Sequence, residues 1–205
     1  VTSEKRIEVA IRALALLPKD LDARLQIVGG GDLVEDLGRL ARELGVGDRV
    51  ELTGLVSTEE LRARLTGAEL FVMPSTAELQ SIATLEAMAS GLPVVAADAV
   101  ALPHLVDGNG YLFRPDDERH LAERLEQVLR ASDEEWLRMR HRSLQMVQPH
   151  DIETTLETFE ALYRGEDVVD PVTELPHLET ESGRIALDGD GALLDEVDER
   201  TSEPR

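Results

Sequence analysis

The sequence predicts an α/β fold: a doubly wound parallel sheet with helices on both faces. Three observations predict it. Short apolar strands alternate with amphipathic helices along the chain, the pattern of a parallel sheet. The strands are apolar throughout rather than alternating, as expected when both faces are covered. Glycine or proline punctuates nearly every strand end and helix end.

The elements follow in order. A first helix is expected from about Glu4 to Leu17, with Ile7, Ile11 and Leu14 at helical spacing. Arg24 to Val28 reads as a strand, ended by Gly29, Gly30 and Gly31. A helix with Leu33, Leu37, Leu40 and Leu44 on one face follows, and Gly45 stops it. Arg49 to Thr53 is the next strand. The run Ser57-Thr58-Glu59-Glu60 is expected to form a capping box. Glu69 to Met73 is a strand closed by Pro74, and a loop then leads to a helix from about Ser81 to Ser90. Gly91 ends that helix, and strands at Pro93–Ala97 and Tyr111–Phe113 follow. The pattern closes with helices from about Glu118 to Arg130, from Ser132 with its Ser-x-x-Glu signal, and from Asp151 to Arg164. Trp136 and Phe159 read as packing residues, and His104 as structural or exposed.

Composition narrows the function. The chain has 205 residues, 42% hydrophobic, enough for one domain with its own core. It has no cysteine, which excludes disulfides and thiolate metal sites. Its histidines stand singly, without metal-ligand spacing. The formal net charge is −21. From Gly165 to Arg205 there are 13 acids and 3 bases, so about half the excess sits in the last fifth of the chain. That balance repels nucleic acid. The segment 165–205, rich in acids and turn residues, is expected to be disordered. No run of about 20 apolar residues suggests a membrane span, and no leader pattern follows Val1. Because Val1 is not methionine, the chain reads as a fragment or a processed piece.

In a doubly wound sheet, ligands bind beyond the carboxyl ends of the strands. That edge gathers the loops at Gly29–Gly31, Gly54–Ser57, Ser75–Ser81 and Asp98–His104. The helix opening at Ser81 offers unpaired first-turn N–H groups there, which suit a phosphate. On this reading Ser81 caps the turn and the N–H groups of Ile82 and Ala83 meet a diphosphate; the plainer reading is a helix cap alone. Glu86 lies one turn further on, about 6 Å along the axis from Ile82. A carboxylate there would repel phosphate but accept hydrogen bonds from a ribose diol. The plainer reading is a solvated helix acid, against which Leu85, Met88 and Ala89 are expected to crowd it. Glu78, on the loop before the helix, is placed to hold sugar hydroxyls or is an ordinary loop acid. Lys5 would neutralise a diphosphate or is a surface lysine. The three glycines are not a G-x-G-x-x-G fingerprint, since Val34 stands at its third glycine.

The order of these pieces carries more than any one of them. Glu78 and Glu86 form E-x7-E, followed by A-M-A-S-G-L-P-V-V. This resembles the retaining glycosyltransferases of the GT-B fold, family 4. Ser3-Glu4-Lys5 is similar to that family's E-K pair, Leu25–Gly31 to its strand and glycine turn, and Val50–Val56 to the strand and loop that meet the base. Asn109–Phe113 is similar to the segment before its late helix, and Asp151–Arg164 to the closing helix that crosses to the other domain. The resemblance covers about Val1 to Arg164. It implies a Rossmann-like C-terminal half of a GT-B fold, residues 1–164, whose first strand lies before Val1, followed by the acidic tail 165–205.

The resemblance further implies a site for a UDP- or GDP-sugar donor. Glu86 would hold the ribose, Ser81, Ile82 and Ala83 the diphosphate end, Val56 the base side, Lys5 the diphosphate charge and Glu78 the transferred sugar. No metal or other cofactor is implied, because the helix end and basic side chains stabilise the leaving group. An N-terminal acceptor domain is the implied partner, and the setting is cytoplasmic, at most peripheral to the inner face of a membrane. Departures stand beside this. Gln80-Ser81 replaces the family's F-G, Pro103-His104 replaces its proline-acid step, and the G-R pair before E-K would fall ahead of Val1. The chain alone is therefore expected to bind donor weakly and transfer nothing. The alternatives are a non-catalytic nucleotide-binding or interaction module on the same scaffold and, less favoured by the single histidines, an enzyme of the same fold that rearranges a nucleotide sugar.

Overall fold

A computed structural model describes residues 2–166. Of the acidic segment expected to be disordered, all but Gly165 and Glu166 lies outside the described residues.

Among the described residues five parallel strands form two ladders. Strand β1 (Leu25–Val28) pairs with β2 (Val50–Gly54), Leu25 opposite Val50. Strands β3 (Phe71–Met73), β4 (Val94–Ala97) and β5 (Gly110–Phe113) form the second ladder in the order β3-β4-β5. Its register sets Phe71 against Val94 and Val94 against Gly110. The parallel α/β class expected from the sequence is the one observed.

The seven α-helices among the described residues are α1 (Ile7–Leu16), α2 (Val34–Glu43), α3 (Thr58–Thr66), α4 (Ile82–Ala89), α5 (Glu118–Leu129), α6 (Asp133–Val147) and α7 (Ile152–Arg164). Helix α1 packs against α2 and α5, and α4 packs against α6. The core runs through Ile11 and Ala13 of α1, Met88 of α4, all four residues of β4, Leu102, Phe113 and Leu121. The continuous apolar run of β4 is what a strand covered on both faces requires.

Four local expectations change. The first helix does not start at Glu4. Ser3–Lys5 forms a single 3-10 turn, and Arg6 at φ 51° breaks the chain before α1. The β1–β2 ladder is not apolar on both faces: Gln26 and Glu51 are exposed, and Arg64 of α3 bonds both from above. Polar contact therefore covers that face, and α3 buries none of its residues. The capping box at Ser57 is only half formed. Its hydroxyl accepts from the Glu60 N–H, but the Glu60 carboxylate turns to Arg64 instead. The box at Ser132 and Glu135 is complete. Finally, Phe159 does not pack. Ile152, Leu156, Phe159, Leu162 and Tyr163 of α7 are all more than half exposed. Trp136 does pack, with its indole N–H on the Glu69 carbonyl and the Arg140 guanidinium stacked 4.6 Å from its ring centre.

Candidate functional site

The carboxyl ends of the strands form one edge, and the expected site residues gather there in part. The loops after β1 and β2 are joined, since the Gly29 N–H donates to the Gly54 carbonyl at 2.9 Å. Gly29 at φ 125° and Gly31 at φ 151° hold conformations that side chains disfavour, so this turn depends on glycine. Leu55 lies over Gly30 and is 89% exposed. Val56, beside it, is half-buried.

The loops after β3 and β4 carry the second half of the edge. The Glu4 carbonyl accepts from both the Ser75 hydroxyl, at 3.1 Å, and the Thr76 N–H, at 3.3 Å. That fastens the turn Ser3–Lys5 to the loop after β3. One residue later the Lys5 ammonium forms an ion pair with the Glu78 carboxylate. Glu78 is buried, and its backbone carbonyl accepts from the Ala101 N–H of the loop after β4. An acid with so little exposure needs a cation or donors near it, and Lys5 is that cation. The two residues, 73 positions apart in sequence, thus stand as one unit.

Helix α4 begins beside them. Ser81 is at its N-cap but does not cap it: no first-turn N–H reaches the Ser81 side chain. The Ser81 hydroxyl is instead buried and accepts from the Thr84 hydroxyl at 2.8 Å. The Ile82 N–H donates to the Gln80 carbonyl at 3.2 Å. Among the described residues the Ala83 and Thr84 N–H groups find no acceptor, so the open part of the first turn falls on them.

Glu86 is exposed and shares a face with Ile82 and Ala83, four and three positions before it. Met88, expected to crowd it, is wholly buried on the opposite face with Thr84 and Ala87. The Glu86 carboxylate has no partner among the described residues. Ile82 is 65% exposed and Leu79 89%, so the entrance to this face is apolar. His104 is exposed on the turn Leu102–Leu105.

Sequence reasoning missed Thr84, Ser75 and the pair Arg6–Asp116. The Ser-x-x-Thr spacing at 81 and 84 was a readable signal for the first. Nothing local signalled the others, because their partners come from distant loops. Arg6 bonds Asp116 at 2.6 Å, and this contact raises the guanidinium pKa further. No group of three or more potential metal ligands is found among the described residues.

Parallel α/β architecture with its loops gathered at one edge is a Rossmann-like fold, and it matches that of GT-B glycosyltransferase structures. Comparison with known proteins agrees with it. Residues 1–131 match the family described as "Glycosyl transferases group 1", and the chain belongs to that family. It is 34% identical over 131 residues to the sulfoquinovosyl transferase SQD2 of Arabidopsis thaliana, covering 62% of this chain and 24% of that protein. It is 38% identical over 110 residues to a GDP-mannose-dependent phosphatidylinositol monomannoside mannosyltransferase of Mycobacterium tuberculosis, covering 50% of this chain and 29% of that one. Among solved structures, HepE of Anabaena, in complex with UDP and glucose, is similar with a TM-score of 0.72 and 25% identity over 80% of this chain and 46% of that one. The sucrose-phosphate synthase of Thermosynechococcus elongatus gives 0.70 and 28% over 80% and 43%. The chain spans about a quarter to a third of the length of the curated relatives it matches.

Proposed function

We propose that residues 1–164 are the donor half of a retaining glycosyltransferase of family 4. This half binds a UDP- or GDP-sugar, and the whole protein moves the sugar to an acceptor with its anomeric configuration kept. The single observation that carries the reading is the meeting of Lys5, Glu78 and the open end of α4 at one edge, with Glu86 exposed a turn along. The names of the similar proteins support it: one is GDP-mannose-dependent, another holds UDP and glucose.

In this reading the open Ala83 and Thr84 N–H groups face the diphosphate, the Ile82 N–H being taken by the Gln80 carbonyl, and the dipole of α4 favours the anion. Ser81 shapes the turn through Thr84. Lys5 neutralises charge that develops on the leaving diphosphate, the work a metal does elsewhere. Glu78 holds Lys5 and contacts the transferred sugar. Glu86 accepts from the ribose hydroxyls, and Val56 borders the base. The two ladders share no hydrogen-bonded pair among the described residues, and in the whole protein an acceptor domain completes the enzyme. The exposed apolar stripe of α7 is the surface it would cover.

No helix among the described residues is long and apolar enough to cross a membrane. We place the whole protein in the cytoplasm, with peripheral contact to a membrane where the acceptor is a lipid. The 205-residue chain alone binds donor weakly and transfers nothing. A thermal-shift panel of nucleoside diphosphates and their sugars tests the reading. Stabilisation by a UDP or GDP compound supports it. A flat response across the panel favours a non-catalytic module on this scaffold.

A further inference from the structure

We propose that Asp116 is a positioning residue, which fixes the turn presenting Lys5 at the donor edge through its ion pair with Arg6. The inference rests on the donor-site reading and adds a residue from a loop that reading does not use.

Arg6 at φ 51° and Asp116 at φ 60° both sit in the left-handed region without being glycine. Such conformations are disfavoured, persist where surrounding contacts impose them, and cluster at ligand sites. Here the two strained residues hold each other. Both Nε and a terminal nitrogen of Arg6 lie 2.6 Å from the same Asp116 oxygen, across 110 residues of sequence. Glu8 supports the guanidinium from its other side at 3.1 Å.

The location gives the contact its meaning. Arg6 is at once the C-cap of the turn Ser3–Lys5 and the N-cap of α1, so it is the residue where the chain changes direction. Lys5 is its neighbour. The Lys5 side chain is 43% exposed, so packing alone does not fix its stem. Its ammonium is held by Glu78, and two tethers fix the backbone around it: Glu4 is bonded by Ser75 and Thr76 ahead of it, and Arg6 by Asp116 behind it. An ammonium held in place loses less freedom when a diphosphate arrives. Asp116, half exposed, acts through Arg6.

Asp116→Gly tests the brace without harming the fold, because glycine suits φ 60° while removing the carboxylate. In the 205-residue chain we expect amide exchange at Lys5, Arg6 and Thr76 to quicken about fivefold, and UDP or GDP affinity to fall by a similar factor. In a Lys5→Ala background the same change should cost no further affinity, and the swap Arg6→Asp with Asp116→Arg should restore part of it. Unchanged exchange, or an equal affinity loss in the Lys5→Ala background, would overturn the proposal. If the wild-type chain binds neither UDP nor GDP, the donor reading fails. The exchange comparison then still decides the brace: quickening upholds it and no change overturns it.

Discussion

The Lys5 ammonium is paired with the Glu78 carboxylate, which joins the first turn of the chain to the loop after β3. One residue is assigned to the diphosphate and the other to the sugar, so the two substitutions should separate. Lys5→Ala should weaken binding of nucleoside diphosphate and nucleotide sugar alike, by about tenfold or more, since a charge-assisted bond is lost. Glu78→Gln should weaken the nucleotide sugar more than the diphosphate. Titration calorimetry with both ligands checks this. Equal effects of Glu78→Gln on the two ligands would remove Glu78 from the sugar.

Glu86 stands exposed, with no partner among the described residues, on the face of α4 it shares with Ala83. If it accepts from the ribose diol, Glu86→Gln should lower nucleoside diphosphate affinity about five- to tenfold. It should leave affinity for inorganic pyrophosphate unchanged, because pyrophosphate has no diol. Because the side chain is exposed, thermal stability of the unliganded chain should hardly move.

Gly110 begins β5 at φ 155°, directly beside β4. A Cβ there would stand 1.8 Å from the Val94 carbonyl oxygen, a backbone atom of the central strand that cannot swing aside. Gly110→Ala should therefore destabilise the chain by about 3 kcal/mol or more. Urea unfolding of the variant gives the number, and a loss under 1 kcal/mol would show that β5 can shift.

Asp117 caps α5 by accepting the His120 N–H at 2.9 Å. That bond first, and the Arg114 guanidinium next, hold its carboxyl below the usual carboxylate range. With a folded pKa below the unfolded one, its stabilisation is complete above about pH 4 and is lost as pH falls through the folded value. Urea midpoints from about pH 5 down to about pH 2.5 should fall less steeply for Asp117→Asn, which keeps the cap but does not titrate. Parallel curves for the two proteins would show that this carboxyl has no part in acid unfolding.

How far the site could be read in advance differs from residue to residue. The spacing of Glu78 and Glu86 marked the helix and its approach loop. The exposure of Glu86 on the face of Ala83 follows from the 3.6-residue period, which also buries Met88 and Thr84. Ser81 reads equally well as a cap and as a buried hydroxyl, because both suit a serine before a helix. Only the Thr84 hydroxyl beneath it decides between them. Arg6 offered no sign at all. Its side chain and its backbone angle make sense only once Asp116 arrives from the far end of the sheet.

The amino-acid sequence by itself determined the alternation of strands and helices, the stops at Gly45 and Gly91, and the group 1 glycosyltransferase pattern around E-x7-E. These are local matters of period, propensity and spacing, settled within a dozen residues. The tertiary structure alone decided that Lys5 meets Glu78, that Arg6 meets Asp116, and which N–H groups of α4 stay open. Those contacts join loops as much as 110 positions apart, and loops meet only where the register of the strands beneath them brings their ends together.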